Sequence, residues 1–307
     1  MASLPPTEKI NTSKFYFEWS GHPISDLTKF HTITQTTRPS KPTIWLAGDS
    51  SLDNKYWVPS SGPGGDPLPV AVPEIYNVTL EKPTPKPDVS FWLNHLLGPR
   101  ATCINTSVEE SMLRQRDSDL NAHDTFIKDH IQKQDVLIVS VGANDVAMRP
   151  TLATILHMLR LAWFTSRANI DNGTAWSLPY FKHLFGTKLQ SYIEKIVATT
   201  KPRAVIVCMI YFPLEAGLGQ SGWADMNLRA LGYSRDPGKL QAAIRKMYEI
   251  ATVGMVVEGT KVLPCPLFEV LDPRVKEEYV ARVEPSVEGG RKMAESFVEI
   301  LEREGVL

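Results

Sequence analysis

A buried apolar run that ends in a small polar turn can set a nucleophile at the lip of a sheet. The segment Trp45–Trp57 (WLAGDSSLDNKYW) has this form, with TIWLA leading directly into Gly48-Asp49-Ser50-Ser51. A serine hydroxyl at such a strand end can stand open to a crevice. The backbone N–H groups that follow can face an oxyanion developing on an attacked carbonyl. The plainer role for the same residues is a strand-to-turn junction in which Ser or Asp caps the next helix. Val136–Met148 (VLIVSVGANDVAM) repeats the arrangement: a buried strand ends at Gly142-Ala143-Asn144-Asp145. The Asn144 side-chain amide could donate to the same oxyanion, and a helix cap made by Asn144 and Asp145 is again the plainer alternative.

The two motifs together, G-D-S after a first strand and G-x-N-D after a third, resemble the SGNH (GDSL-type) hydrolase family from about Thr43 to the C-terminus. The resemblance implies a three-layer α/β/α, flavodoxin-like fold with a central parallel sheet. It implies Ser50 as nucleophile, with the Ser50 N–H and Asn144 as oxyanion donors and Asp49, Gly142 and Asp145 around the substrate. Members usually follow the second strand with an asparagine and then a glycine whose N–H is a further donor. Here Asn105-Thr106-Ser107-Val108-Glu109-Glu110 keeps the asparagine and places Glu110 at the glycine. That brings a carboxylate beside a site meant to hold negative charge, which is unfavourable unless it turns away or is paired.

The family's closing block, D-x-x-H-P, supplies the base and the residue that orients it. In this chain Ala281-Arg282-Val283-Glu284-Pro285-Ser286 occupies that frame, followed by Gly289-Gly290-Arg291-Lys292-Met293-Ala294. Glu284 stands for the histidine and Ala281 for the aspartate, and no histidine follows His183. Three readings remain open. Glu284 is itself the base, which requires burial to lift its pKa from about 4.3 toward neutrality, against any opposing effect of Arg282. Alternatively His123, His130, His157 or His183 swings in from a helix-like segment. Or the site binds a small molecule without serine acylation, as a binding or regulatory protein or a non-hydrolytic enzyme. Asp272 could approach Glu284.

The elements that must position these groups are legible as runs. Five apolar, β-branched stretches read as buried parallel strands: Thr43–Ala47, Ala101–Asn105, Asp135–Val141, Ala204–Ile210 and Thr260–Cys265. Between and after them, helical periodicity covers 89–97, 108–116, 121–132, 152–167, 184–199, 237–258 and 286–304. Residues 1–42 read as a polar, irregular N-terminal extension to the domain 43–307. Pro/Gly-rich residues at about 58–88 and a second stretch at about 211–237 read as insertions after strands one and four. In an open α/β sheet such loops border the ligand crevice, so both are candidate walls or lids. Trp57, Trp163, Trp176 and Trp223 could line an apolar pocket there or anchor the loops.

Composition narrows the function classes. The 307 residues carry 33 basic and 34 acidic side chains, a net charge of -1. No basic surplus exists to neutralise phosphates, so neither a nucleic acid nor a membrane surface is expected as partner. No apolar run reaches the roughly 20 residues of a membrane span. The opening MASLPPTEKINTSKF lacks the form of a secretory signal. Three cysteines, each in or beside an apolar run, read as buried reduced thiols without metal spacing. The N-x-S/T triplets at Asn11, Asn77, Asn105 and Asn172 then read as chance. The expectation is a cytoplasmic protein with a small-molecule or ester ligand, no cofactor and no metal. The sequence leaves the oligomeric state open.

Overall fold

The computed structural model describes residues 8–307; the first seven residues of the expected N-terminal extension lie outside the described residues. Five strands, β1 (Thr43–Gly48), β2 (Thr102–Asn105), β3 (Val136–Ser140), β4 (Ala204–Met209) and β5 (Lys261–Pro266), form one sheet in the order β2-β1-β3-β4-β5. Every neighbouring pair is parallel. Strands β1 to β4 are buried along their whole length, which is why they read as unbroken apolar runs. β5 lies at an edge and alternates in exposure.

Helices Val89–Leu97 and Val287–Arg303 pack on each other, the first also against β2 and the second against β5. Helices Ala122–His130 and Leu189–Ile196 pair likewise, the former against β1. The sheet is thus flanked by helices as an α/β layered fold. The chain leaves β1 toward β2 on one side and returns to β3 on the other. The C-terminal ends of β1 and β3 therefore flank the switch point where open α/β sheets hold ligands. Ser50 follows β1 and Asn144 follows β3.

Two expectations about local structure fail. Residues 8–42 are not irregular: they form helices Thr12–Phe17 and Ile24–Thr37, and Ile10, Phe15, Leu27 and Phe30 enter the main core. The apolar positions there are sparse, and threonines between them mask the period. The helix expected over 108–116 is only a tight turn at Leu113–Arg116. Backbone N–H groups of that stretch go instead to buried carboxylates, Glu109 to Asp53 (2.9 Å) and Leu113 and Arg114 to Asp145 (2.6 and 3.1 Å).

Cys103, Cys208 and Cys265 are buried and free. No helix among the described residues is long and apolar enough to cross a membrane.

Candidate active site

The turn after β1 is held by its own side chains. Asp49 Oδ1 accepts from the Ser51 N–H (3.1 Å) and the Ser51 hydroxyl (2.8 Å), and that hydroxyl also meets Ser140 on β3 (2.7 Å). Asp49 and Ser51 are thereby locked beneath Ser50, which is 9% exposed and lines a large cavity. Asp49 lines it too, and burial pushes its carboxyl up to about 6. Among the described residues, neither the Ser50 nor the Glu110 backbone N–H is taken up by a protein acceptor.

Asn144 also lines the cavity, and its Nδ2 donates to the Ser111 carbonyl at 3.1 Å. One of its two amide hydrogens remains for another acceptor. Gly142 and Asp145 act from behind this wall. Gly142 has φ 116°, and a Cβ there would meet the Phe185 ring at 3.1 Å. That left-handed turn starts the short helix Ala143–Ala147 carrying Asn144. Asp145 spends both oxygens on the Leu113 and Arg114 N–H groups, tying the turn after β3 to the segment after β2.

Glu110 has φ 60°, the left-handed backbone that favours glycine. Its side chain is 42% exposed and sits 3.9 Å from Arg149. The carboxylate expected beside the site is therefore turned away and paired, and Glu110 does not line the cavity.

Glu284 is the cavity's buried acid, 2% exposed. Several contacts bring it there. Residues Tyr279–Val280 and Glu284–Pro285 pair as an antiparallel hairpin, with Ala281 and Arg282 at φ 49° and 70° in its turn. Such strained turns persist when their surroundings over-determine them. Arg282 donates to the Leu214 carbonyl (3.0 and 3.2 Å) and pairs with Asp225 at 2.6 Å. The Tyr211 hydroxyl donates to the Val283 carbonyl at 2.8 Å. A Cβ on Gly222 would lie 2.2 Å from the Ala281 carbonyl, so only glycine allows that approach. From the other side, Asn54 Nδ2 donates to the Pro285 carbonyl at 3.1 Å. The loop that bears Ser50 thus grips the hairpin that bears Glu284.

Trp223 Nε1 donates to Glu284 Oε1 at 3.1 Å. Burial raises the carboxyl to about 7, with the Ser50 hydroxyl and the Trp223 indole opposing the rise. Ser50 is close enough to lower this pKa, yet Glu284 Oε2 has no well-aligned hydrogen-bond partner. The Ser50–Glu284 contact is a neighbourhood short of a formed bond. Arg282 is occupied by Asp225 and Leu214 and does not contribute to the Glu284 shift.

A second buried acid, Glu109, is not apparent in the sequence. Its Oε1 accepts from Trp57 Nε1 at 2.9 Å, its Oε2 has no partner, and burial pushes its pKa up to about 9, with the Glu284 charge adding to the rise. Only the Trp57–Glu109 and Trp223–Glu284 pairs, 52 and 61 residues apart, disclose this arrangement. No local spacing signals it.

None of the seven histidines lines the cavity. His123 is bound to the His22 carbonyl and His130 to the Phe126 carbonyl, each at 2.8 Å. His157 stacks on Tyr180 and Trp176. Asp272 is engaged by Arg274 at 3.0 Å.

The rest of the cavity is mostly apolar, with Asn227 and Lys239 as polar exceptions that donate to the Ala147 and Ala162 carbonyls. Residues 211–237 contribute Tyr211, Pro213, Trp223 and Leu228, matching the expected wall. Residues 58–88 do not reach it. They cover a separate groove beside Trp92 and Val287, because Lys86 folds the loop back onto the Lys55 carbonyl (2.6 Å) and the Val58 carbonyl (3.3 Å). The opposite wall comes from 152–188, through Met158, Leu161, Phe181 and Phe185. Of the four tryptophans singled out, Trp223 alone lines the cavity.

No protein-family model and no curated protein matches the chain. Solved structures similar to it include an extracellular lipase from Streptomyces rimosus (11% identity, 86% of this chain and 99% of that chain, TM-score 0.41). A family 3 carbohydrate esterase from Clostridium thermocellum is similar at 13% identity (86% and 96% covered, TM-score 0.41). A phospholipase A1 from Streptomyces albidoflavus is similar at 12% (86% and 99%, TM-score 0.36). At these values no residue role passes from those proteins to this chain.

Proposed function

We propose that the protein is a serine-dependent ester or acyl hydrolase of SGNH type in which Glu284 replaces the usual histidine. One observation carries the reading: the Ser50 hydroxyl and the buried Glu284 carboxyl are neighbours on the wall of one apolar cavity. A carboxylate with an ordinary pKa is a poor base for serine, but one lifted to about 7 is matched to work near neutrality. The paired G-D-S and G-x-N-D motifs and the left-handed Glu110 at the family's glycine position also support it.

In this reading Ser50 Oγ attacks the ester carbonyl carbon and Glu284 takes the hydroxyl proton. The oxyanion is met by the Ser50 N–H and the free Asn144 amide hydrogen. Collapse breaks the bond to the alcohol oxygen, which receives the proton from Glu284 and departs. Water then attacks the acyl-serine, giving its proton to Glu284, and collapse of the second intermediate releases the acid and returns the proton to Ser50. Glu109, protonated at neutral pH, adds no second negative charge to the site. Ser50→Ala is expected to abolish turnover of short-chain esters; full activity in that variant overturns the reading.

One observation favours a second reading, a binding protein without turnover: Glu284 Oε2 makes no hydrogen bond, to Ser50 or to any other described residue. In that case short esters are not turned over, and small-molecule ligands raise the melting temperature.

A further inference from the structure

The segment that walls the cavity opposite Ser50 is apolar on both of its faces. Helix Leu152–Leu159 continues into a wider turn at Arg160–Phe164. Its inner face sends Met158, Leu161 and Ala162 into the cavity. Its outer face presents Leu152, Ile155, Leu156, Leu159 and Trp163, the i, i+3, i+4, i+7, i+11 spacing of a single stripe. These are 37–81% exposed, and Phe164 beside them is 85% exposed. A helix apolar all round is ordinarily buried, and here Trp163 alone of the stripe is hydrogen-bonded to another segment, its Nε1 donating to the Ala230 carbonyl at 2.9 Å, while Leu152 and Leu156 stay open. Trp176, 69% exposed, continues the patch, with the Arg160 guanidinium 4.3 Å over its ring.

Charge identifies the occupant. The whole chain carries a net charge of -1, but residues 149–188 hold five basic side chains (Arg149, Arg160, Arg167, Lys182, Lys188) against one acidic, Asp171. Arg149, Arg167 and Lys188 have acidic partners in Glu110, Asp171 and Asp117. Arg160 and Lys182 have none among the described residues. An apolar stripe with tryptophan and phenylalanine, bearing at Arg160 a cation without an acidic partner, is the pattern of a helix lying in a lipid headgroup layer. A face made for a second protein copy would have no need of that local surplus.

We propose that the outer face of residues 152–164, with Trp176, docks on an anionic lipid surface and sets the cavity's outer wall against it. This goes beyond the hydrolase reading and does not depend on turnover. The expectation from overall charge that membrane surfaces are excluded gives way here, because the basic residues are segregated rather than abundant.

The test is flotation of the full chain with phosphatidylcholine vesicles, with and without phosphatidylglycerol. Expected is binding to the anionic vesicles, weakened by salt and reduced at least tenfold in the double variant L156S/F164S. That variant is expected to keep its circular dichroism spectrum and its hydrolysis of dissolved short-chain esters. Ser50→Ala is expected to float like the unaltered protein, so failure of the hydrolase reading leaves this result standing. Absence of flotation with either vesicle overturns the proposal. Flotation of L156S/F164S equal to the unaltered protein also overturns it. A dimer in sedimentation equilibrium that L156S/F164S converts to monomer overturns it too, and assigns the face to a second copy of the chain.

Discussion

The indole N–H of Trp223 donates to Glu284 Oε1 across 3.1 Å, joining two residues 61 positions apart in the loop after β4 and the hairpin before the last helix. The contact fixes one oxygen of the carboxyl and leaves Oε2 without a partner, on the cavity wall shared with Ser50. It also opposes the burial that raises the Glu284 pKa to about 7.

Trp223→Phe keeps the ring's bulk and removes that donor. The Glu284 pKa is expected to move above about 7, so the rising limb of kcat/KM against pH shifts to higher pH. A hydrogen bond worth roughly 1 kcal/mol corresponds to about a threefold loss at pH 7, growing to about fivefold in more acidic solution. An unchanged profile in Trp223→Phe contradicts the role given to this contact.

Asn144→Ala removes the only side-chain oxyanion donor in the account. A kcat lower by about 10²–10³-fold, with KM little altered, is the expected effect of losing such a donor. Steady-state kinetics on a dissolved ester would check it. A loss confined to KM would mean that Asn144 binds the ground state alone.

Glu109 and Glu284 make stability depend on pH in a defined direction. Both carboxyls have folded-state pKa values above the ordinary 4.5, at about 9 and about 7. Between 4.5 and those values the folded chain holds protons that the unfolded chain has released, so stability falls as pH rises. For Glu109 the cost at neutral pH is on the order of 3 kcal/mol relative to strongly acidic solution. Glu109→Gln keeps an acceptor for Trp57 and removes the charge. Its melting temperature is expected to exceed that of the unaltered protein at and above neutral pH, with the difference shrinking toward acid. Parallel melting curves across the pH series would contradict the burial of an ionisable Glu109.

Legibility in the sequence followed the range of the interaction. Strands β1 to β4 were readable to within a residue or two because burial on both faces leaves unbroken apolar runs such as TIWLA and AVIVCM. Helix Val89–Leu97 matches its expected bounds, because Asp88 caps the Phe91 N–H at 2.8 Å and Gly98 ends it. Ser50 and Asn144 were visible because each directly follows such a strand. Glu109 was not, since its burial depends on Trp57 and on a hairpin at the other end of the chain. The 108–116 stretch misled because its apolar residues fit a helical period while Asp53 and Asp145 claim its backbone N–H groups. The loop 58–88 follows the strand that bears Ser50, yet Lys86 draws it away from the cavity, a contact that no local pattern encodes.

The central claim is that Glu284 activates Ser50, and the most direct measurement is the rate of Ser50 modification by a fluorophosphonate as a function of pH. The expected result is an adduct mapped to Ser50 whose rate of formation rises through about pH 7 as Glu284 ionises, with the rise abolished and labelling slowed in Glu284→Gln. Absence of a Ser50 adduct at every pH, or a Glu284→Gln profile that overlays that of the unaltered protein, would contradict the account.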